Sequence, residues 1–233
     1  MIGARDVELG AFGGRCTVYR HHGGAEKVLG ALELAVPGRH NLQNALAAVA
    51  VAGELGVDFE GVAATLREFH GAERRFERVG EANGVLVVDD YGHHPTEIAA
   101  VLAAARVTLG RRLLVAFQPH RYTRTERLMQ EFGPAFADAD EVVLTDIYAA
   151  SEEPIAGVTV EALADSVKRA TGRPVRIVKP LDRLADDLAA AARPGDAVLT
   201  LGAGSIASVP KRLLAALRAR EAAPAPGEEE GAR

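Results

Sequence analysis

From residue 84 to residue 218 the chain repeats one pattern, a short aliphatic run followed by a longer amphipathic stretch. The runs are residues 85–88, 113–117, 141–145, 175–178 and 197–201. The stretches between and after them cover about 96–109, 124–137, 160–170 and 181–192, with a last one ending near Arg218. Val and Leu runs without polar alternation suit strands buried on both faces. Strands that each hand over to a helix are parallel, because a parallel pair needs a crossover. The pattern predicts an α/β domain over residues 83–218, with a parallel sheet covered by helices on both faces. Ligands of such sheets bind outside the carboxyl ends of strands, so the residues after each run are the ones to read for function.

Residues 1–70 do not share this pattern. Residues 15–20 and 31–36 read as strands, with a turn at His21, His22, Gly23 and Gly24. After Pro37-Gly38, residues 41–55 read as a helix with Leu42, Leu46, Val49 and Leu55 near one side and Gly56 as its stop. Asp58 can cap a second helix carrying Val62, Leu66 and Phe69 on one face. Two strands and two helices make a small core, and this piece reads as the end of something larger. Residues 71–82 are polar, with Arg74, Arg75 and Arg78, and read as a connector. Residues 219–233 are rich in Ala, Pro, Gly and Glu and read as a disordered tail.

A net charge of −5 argues against general nucleic-acid binding, which needs a basic surface. Cys16 is the one cysteine, which rules out a disulfide framework and a cysteine-built zinc site. Neither a signal-peptide core nor an apolar run of bilayer length occurs, so no membrane association and a cytoplasmic location are expected.

The strand ends hold four candidate constellations. After the first run comes Asp89-Asp90-Tyr91-Gly92-His93-His94-Pro95. Carboxylates there could bind a ribose hydroxyl or a metal ion, and an imidazole could bind phosphate or carboxylate. Pro95 suits the first turn of a helix, so the same residues also fit a capped strand-to-helix loop. After the second run comes Gln118-Pro119-His120-Arg121-Tyr122-Thr123-Arg124-Thr125-Glu126. Thr123 and Glu126 have capping-box spacing, which predicts a helix from about Arg124. Its open amides, with His120, Arg121 and Arg124, favour an anion such as a carboxylate or phosphate. The alternative is that the arginines pair with surface carboxylates such as Glu131. After the fifth run, Gly202-Ala203-Gly204-Ser205 resembles the start of a dinucleotide fingerprint but lacks its third glycine and acidic partner, and fits a tight turn better. In the first part, His40 or Asn41 could cap the helix, or the amides of Asn41 and Asn44, on one side of it, could read a base edge. No G-x-x-x-x-G-K-S/T phosphate loop, G-x-S-x-G elbow or H-E-x-x-H pair occurs, and adjacent His93 and His94 suit one metal poorly.

GRHNLQNALAA (38–48), GAERRFERVG (71–80), VVDDYGHHPTEI (87–98), FQPHRYTRT (117–125) and AASEEPI (149–155) together resemble the Mur ligase family. These are ATP-dependent amide ligases that build peptidoglycan precursors. The resemblance runs from about residue 5 to 218, and DDYGHHPTEI followed by FQPHRYTRT is a highly specific pair. It implies three domains: one for the UDP-sugar, a central ATPase with the phosphate loop, and a Rossmann-like domain that brings the amino acid. Residues 1–70 then correspond to the C-terminal remnant of the central ATP-binding domain. Residues 83–218 correspond to the Rossmann-like, mostly parallel C-terminal domain. The missing N-terminal ligase domains are expected partners, and the chain alone is expected to be inactive.

The implied reaction joins L-alanine to UDP-N-acetylmuramate. ATP phosphorylates the lactyl carboxylate, and the amine of L-alanine attacks the acyl phosphate. ATP and Mg2+ are the implied cofactors, with the metal ligands expected in the missing part and none in this chain. His40, Asn41 and Asn44 match the family's adenine-side segment, and Arg75 and Asp90 match positions near the ribose and phosphates. Tyr91, His93, Arg121 and Arg124 match positions facing the substrates. No residue is assigned as catalytic from sequence. Ser205 departs from the family, which usually has an aspartate there. Two alternatives stand beside this reading: a sister ligase attaching a recycled peptide to UDP-N-acetylmuramate, and a non-catalytic binding module derived from a ligase.

Overall fold

A computed structural model of the protein describes residues 1–10, 12–69, 71 and 73–222. By internal contacts the chain divides into two units, Met1–Glu73 and the residues from Arg74 onward.

The first unit is a three-stranded antiparallel meander, β1 (Ile2–Gly10), β2 (Gly13–His22) and β3 (Ala25–Leu34), with two helices, α1 (Arg39–Glu54) and α2 (Phe59–Glu68). Cys16, Val18, Leu32 and Leu34 alternate with more exposed residues along β2 and β3, so one sheet face is apolar. That face packs with Leu42, Ala45 and Val49 of α1 and Ala63 of α2. β1 was not expected, because IGARDVELG carries charge where an inward residue should fall. Asp58 caps α2 as expected, its Oδ1 accepting from Gly61 N at 2.7 Å. The start of α1 differs: it begins at Arg39 after Gly38, at φ 96°, so neither His40 nor Asn41 is the N-cap.

The second unit carries six strands, and in the sheet they lie in the order β4-β5-β9-β6-β7-β8. They are β4 (Glu77–Ala82), β5 (Val85–Asp90), β6 (Arg112–Phe117), β7 (Glu141–Leu144), β8 (Val175–Ile177) and β9 (Asp196–Leu201). All neighbouring pairs are parallel except β4–β5. The helices are α3 (Pro95–Leu109), α4 (Tyr122–Arg127), α5 (Met129–Ala135), α6 (Val160–Thr171), α7 (Leu184–Ala191) and α8 (Val209–Ala222). Every residue of β5 and β9 is buried, as aliphatic strands between two helical layers should be.

In the second unit three features depart from the sequence expectation. Residues 77–82, expected within a connector, form the antiparallel edge strand β4. The helix expected over 124–137 is two, α4 and α5, separated at Leu128. In α5, Gly133 lies flat against α6, where an added Cβ would meet Ala170 Cβ at 3.0 Å and Ser166 O at 3.2 Å. Helix α8 continues to Ala222, so residues 219–222 are helical, and the rest of the expected tail lies outside the described residues.

The sheet order positions the site. The chain leaves β5, crosses to β6, builds outward through β7 and β8, and returns to lay β9 between β5 and β6. Leu201 at the end of β9 pairs with Asp90 on one side and Phe117 on the other. The loops after β5, β6 and β9 therefore start side by side at the point where strand order reverses, where open α/β sheets form their binding crevice.

Candidate active site at the carboxyl ends of β5, β6 and β9

Successive strand residues face opposite ways, and the two aspartates ending β5 have different tasks. Asp89 is 3% exposed. Its Oδ2 accepts from Arg74 Nε at 2.6 Å and its Oδ1 from Thr200 Oγ1 at 2.6 Å. Arg74 also donates from Nη2 to Gly202 O at 2.5 Å, and its guanidinium lies 5.5 Å from the Tyr91 ring centroid. One arginine thus ties together β5, the loop after β9 and the loop after β5. Asp90 Oδ2 accepts from Phe76 N and Oδ1 from Gly92 N, both at 2.7 Å. Burial pushes the Asp90 carboxyl above its ordinary range; the two amides and the Arg75 charge act against this, and the Asp89 charge adds to it. Arg75 is exposed beside it.

Both aspartates are therefore engaged by the protein itself. Among the described residues no group of three or more His, Cys, Asp or Glu side chains is placed to hold a metal ion. With both carboxylates already engaged, these residues do not fit Mg2+.

A ladder of rings follows. His93 Nδ1 lies 3.0 Å from Tyr91 O, and the His93 ring meets the Tyr91 ring edge-on at 5.2 Å. His93 and His120 have centroids 5.7 Å apart, and His120 stacks on Tyr148 at 5.4 Å. Helix α3 fixes the first of these loops. His94 is its N-cap, Pro95 its first residue, and Glu97 Oε2 accepts from His93 N at 3.0 Å and His94 N at 3.1 Å.

The loop after β6 is held from below and from the side. Gln118, 2% exposed, accepts at Oε1 from Ile206 N at 2.9 Å and donates from Nε2 to Ser205 Oγ at 3.2 Å. This draws the Gly202–Ser205 loop against β6. A Cβ on Gly204 would sit 2.6 Å from both Gln118 Oε1 and Tyr148 Cγ, so glycine is required for that approach. From the side, residue 148 makes a parallel bridge: Tyr148 N donates to Pro119 O and Arg121 N to Tyr148 O, each at 2.8 Å.

Helix α4 begins at Tyr122, not Arg124, and Thr123 and Glu126 form no capping box. Instead Glu152 reaches across, accepting from Thr123 N at 3.0 Å and Thr123 Oγ1 at 2.7 Å. The bonds from Thr123 hold the Glu152 carboxyl below its ordinary range, with Arg121 adding to the effect. The amide expected to be open to an anion is thus filled by the chain's own carboxylate. Arg121, at φ 72°, lies 3.7 Å from Glu152, a surface-carboxylate pairing of the kind the sequence offered as the alternative, with Glu152 in place of Glu131. Arg124 Nη1 lies 3.2 Å from His120 Nδ1. His120 is held below the ordinary imidazole range by burial first, then by the charges of Arg124, His93 and Arg121.

Of the residues singled out from sequence, the second unit brings together Asp90, Tyr91, His93, His120, Arg121 and Arg124, with Arg75 beside Asp90. His40, Asn41 and Asn44 belong to the first unit. Asn41 Nδ2 donates to Pro37 O at 2.7 Å, Asn44 is exposed, and the side chain of His40 lies outside the described residues. Arg74, Thr200, Tyr148 and Glu152 were not anticipated as parts of the site. Their partners are 15, 111, 28 and 29 residues away, beyond any local motif.

The family description "Mur ligase, glutamate ligase domain" matches residues 74–204, more than half of the chain. The UDP-N-acetylmuramate--L-alanine ligase of Geotalea daltonii is 53% identical over 190 residues, which are 82% of this chain and 42% of that protein. The crystal structure of the UDP-N-acetylmuramate-alanine ligase of Thermotoga maritima superposes with a TM-score of 0.75 at 29% identity, covering 94% of this chain and 46% of that one. A murein peptide ligase of Psychrobacter arcticus gives a TM-score of 0.63 at 25% identity, covering 93% and 44%. The chain thus spans less than half the length of these relatives. With the matched residues holding both the parallel sheet and the loops at its switch point, the chain belongs to the Mur ligase family.

Proposed function

We propose that this chain is the C-terminal part of an ATP-dependent ligase that joins L-alanine to UDP-N-acetylmuramate through an acyl phosphate. The observation that carries this reading is the meeting of Tyr91, His93, His120, Arg121 and Arg124 where strand order reverses. Two guanidiniums flanking an imidazole pair suit a small zwitterion. The arginines attract its carboxylate, and the imidazoles face its amine. Arg121 and Arg124 are the proposed grip on L-alanine or on the acyl phosphate, with Tyr91 and His93 as neighbouring substrate contacts. Arg75, exposed beside Asp90, is the proposed contact to the nucleotide's phosphates, and Asp90 shapes that loop. His40, Asn41 and Asn44 are proposed for the adenine side, with Asn44 the side chain best placed to reach out. ATP binding and phosphoryl transfer rest on a phosphate loop that these residues do not contain, so the chain alone is proposed not to ligate.

The test is a chimera of the Geotalea daltonii relative whose matching C-terminal part is replaced by this chain. ADP release that requires both UDP-N-acetylmuramate and L-alanine is the expected result. Release driven by a peptide in place of L-alanine would move the reading to the sister ligase. Release by the chain alone would overturn its description as part of a longer ligase.

A further inference from the structure

His93 and His120 face one another, and each has one ring nitrogen committed to a partner whose role is fixed. His93 Nδ1 lies 3.0 Å from the Tyr91 carbonyl oxygen, which only accepts, so this nitrogen carries the proton. His120 Nδ1 lies 3.2 Å from Arg124 Nη1, which only donates, so this nitrogen is bare. A neutral imidazole has one proton, so the other nitrogens follow. His93 has its electron pair at Nε2, and His120 has an N–H at Nε2. Among the described residues neither Nε2 is hydrogen-bonded. The two rings are locked in opposite tautomers.

Their surroundings differ in the same sense. Glu97 Oε2 lies 3.8 Å from His93 Nδ1, so a carboxylate stands behind the ring on the side away from Nε2. It stabilises the imidazolium that forms if Nε2 takes a proton. The other groups facing His93 are Tyr91 from its own loop and His120, backed by Arg124, from the loop after β6. His120 is half-buried and crowded by Arg124, which together hold it below the ordinary imidazole range and favour the neutral ring.

We propose that His93 is the general base for the attacking amine, and that His120 is a neutral donor to a substrate oxygen. This rests on the ligase reading above. His93 Nε2 removes one proton from the ammonium of the amino acid. The freed nitrogen pair forms the N–C bond to the acyl-phosphate carbonyl carbon. The C–O bond to phosphate then breaks, its electron pair leaving with phosphate. The nitrogen's second proton and the one on His93 pass to solvent.

The tautomers are read on the chain itself by long-range 1H–15N correlation spectra, with peaks assigned through His93→Gln and His120→Gln. The expected result is an Nδ1–H tautomer for His93 and an Nε2–H tautomer for His120. An Nε2–H tautomer at His93 overturns the proposal, because the electron pair would then face a carbonyl oxygen. The role is read in the chimera described above. His93→Gln should lower kcat about a hundredfold and leave the KM for L-alanine within about twofold. It should also abolish the acidic limb of the kcat–pH profile. If the parent chimera ligates and His93→Gln keeps both rate and limb, the base assignment falls alone. If the parent makes no product with L-alanine, the ligase reading falls and takes the base assignment with it.

Discussion

On the proposed reading Arg124 combines two tasks in one guanidinium. One nitrogen donates to His120 Nδ1, which fixes that ring, and the half-buried group keeps further donors for a ligand. On the proposed ligase reading, replacing it by Ala in the chimera should remove a charge-assisted bond of about 1.5–3 kcal/mol, a loss of roughly ten- to a hundredfold in kcat/KM. Arg124→Lys should restore part of this, because lysine keeps the charge but not the fork. Melting should change little; a variant that mainly loses melting temperature would make the arginine structural. The reverse holds for Asp89, whose carboxylate faces Arg74 with the two side chains 5% and 17% exposed. Asp89→Ala leaves that guanidinium inside without its counter-charge, and urea denaturation should show a loss of about 3–5 kcal/mol. A loss under about 1 kcal/mol would mean that solvent reaches the pair. The two arginines of the ERRF stretch also show what a linear reading can and cannot carry. Residues 74 and 75 are chemically alike, and only the tertiary fold decides that Arg74 turns inward to Asp89 and Gly202 while Arg75 stays outside.

Among elements, strands β5, β6, β7 and β9 were legible because both their faces are covered and burial demands aliphatic runs, and the half-buried β8, which carries Arg176, from its place in the strand–helix alternation. Strand β4 was not, because an edge strand with one neighbour tolerates the charges and glycine of ERVGEA. The end of helix α3 illustrates how the elements are joined. Arg106 on α3 donates to Asp140 Oδ2 at 2.7 Å, and the same oxygen accepts from Leu113 N at 2.8 Å at the start of β6. Burial alone would push the Asp140 carboxyl up, but the Leu113 amide and the Arg106 guanidinium outweigh it and hold the group below its ordinary value of 3.8. A carboxylate whose folded pKa is depressed contributes stability that is full above the unfolded value and is lost as pH falls toward the folded one. Melting temperature should therefore drop more steeply below about pH 5 in the parent protein than in Asp140→Asn, which has no charge to lose. Parallel curves for the two would show that other carboxylates govern the acid limb.

At the scale of the whole molecule, the question is where the second unit begins. Sequence pattern places its start near residue 83, after the last polar stretch, whereas contacts place it at Arg74. The nine residues 74–82 do three things. Arg74 closes the Asp89, Gly202 and Tyr91 junction, and Phe76 N binds Asp90. Strand β4 covers the free edge of β5, a strand buried along its whole length. Gly80 receives Leu214 of α8 so closely that an added Cβ would lie 2.7 Å from Leu214 Cδ2. At the other end α8 runs on to Ala222, and Glu221 Oε2 accepts from Asn83 N at 3.4 Å. A piece covering residues 74–222 should therefore melt in one cooperative transition, since it keeps the sheet, its edge cover and the whole of α8. A piece covering residues 83–218 bares the edge of a fully buried strand and leaves Asp89 without its arginine, and several kcal/mol should go with them. For a domain of this size that corresponds to melting roughly 10 °C lower, with aggregation on heating. Calorimetry of the two pieces side by side decides it. Equal melting temperatures would show that β4 and Arg74 adorn a unit that holds itself together without them. A broad, non-cooperative melt of the longer piece would show that the second unit depends on the first.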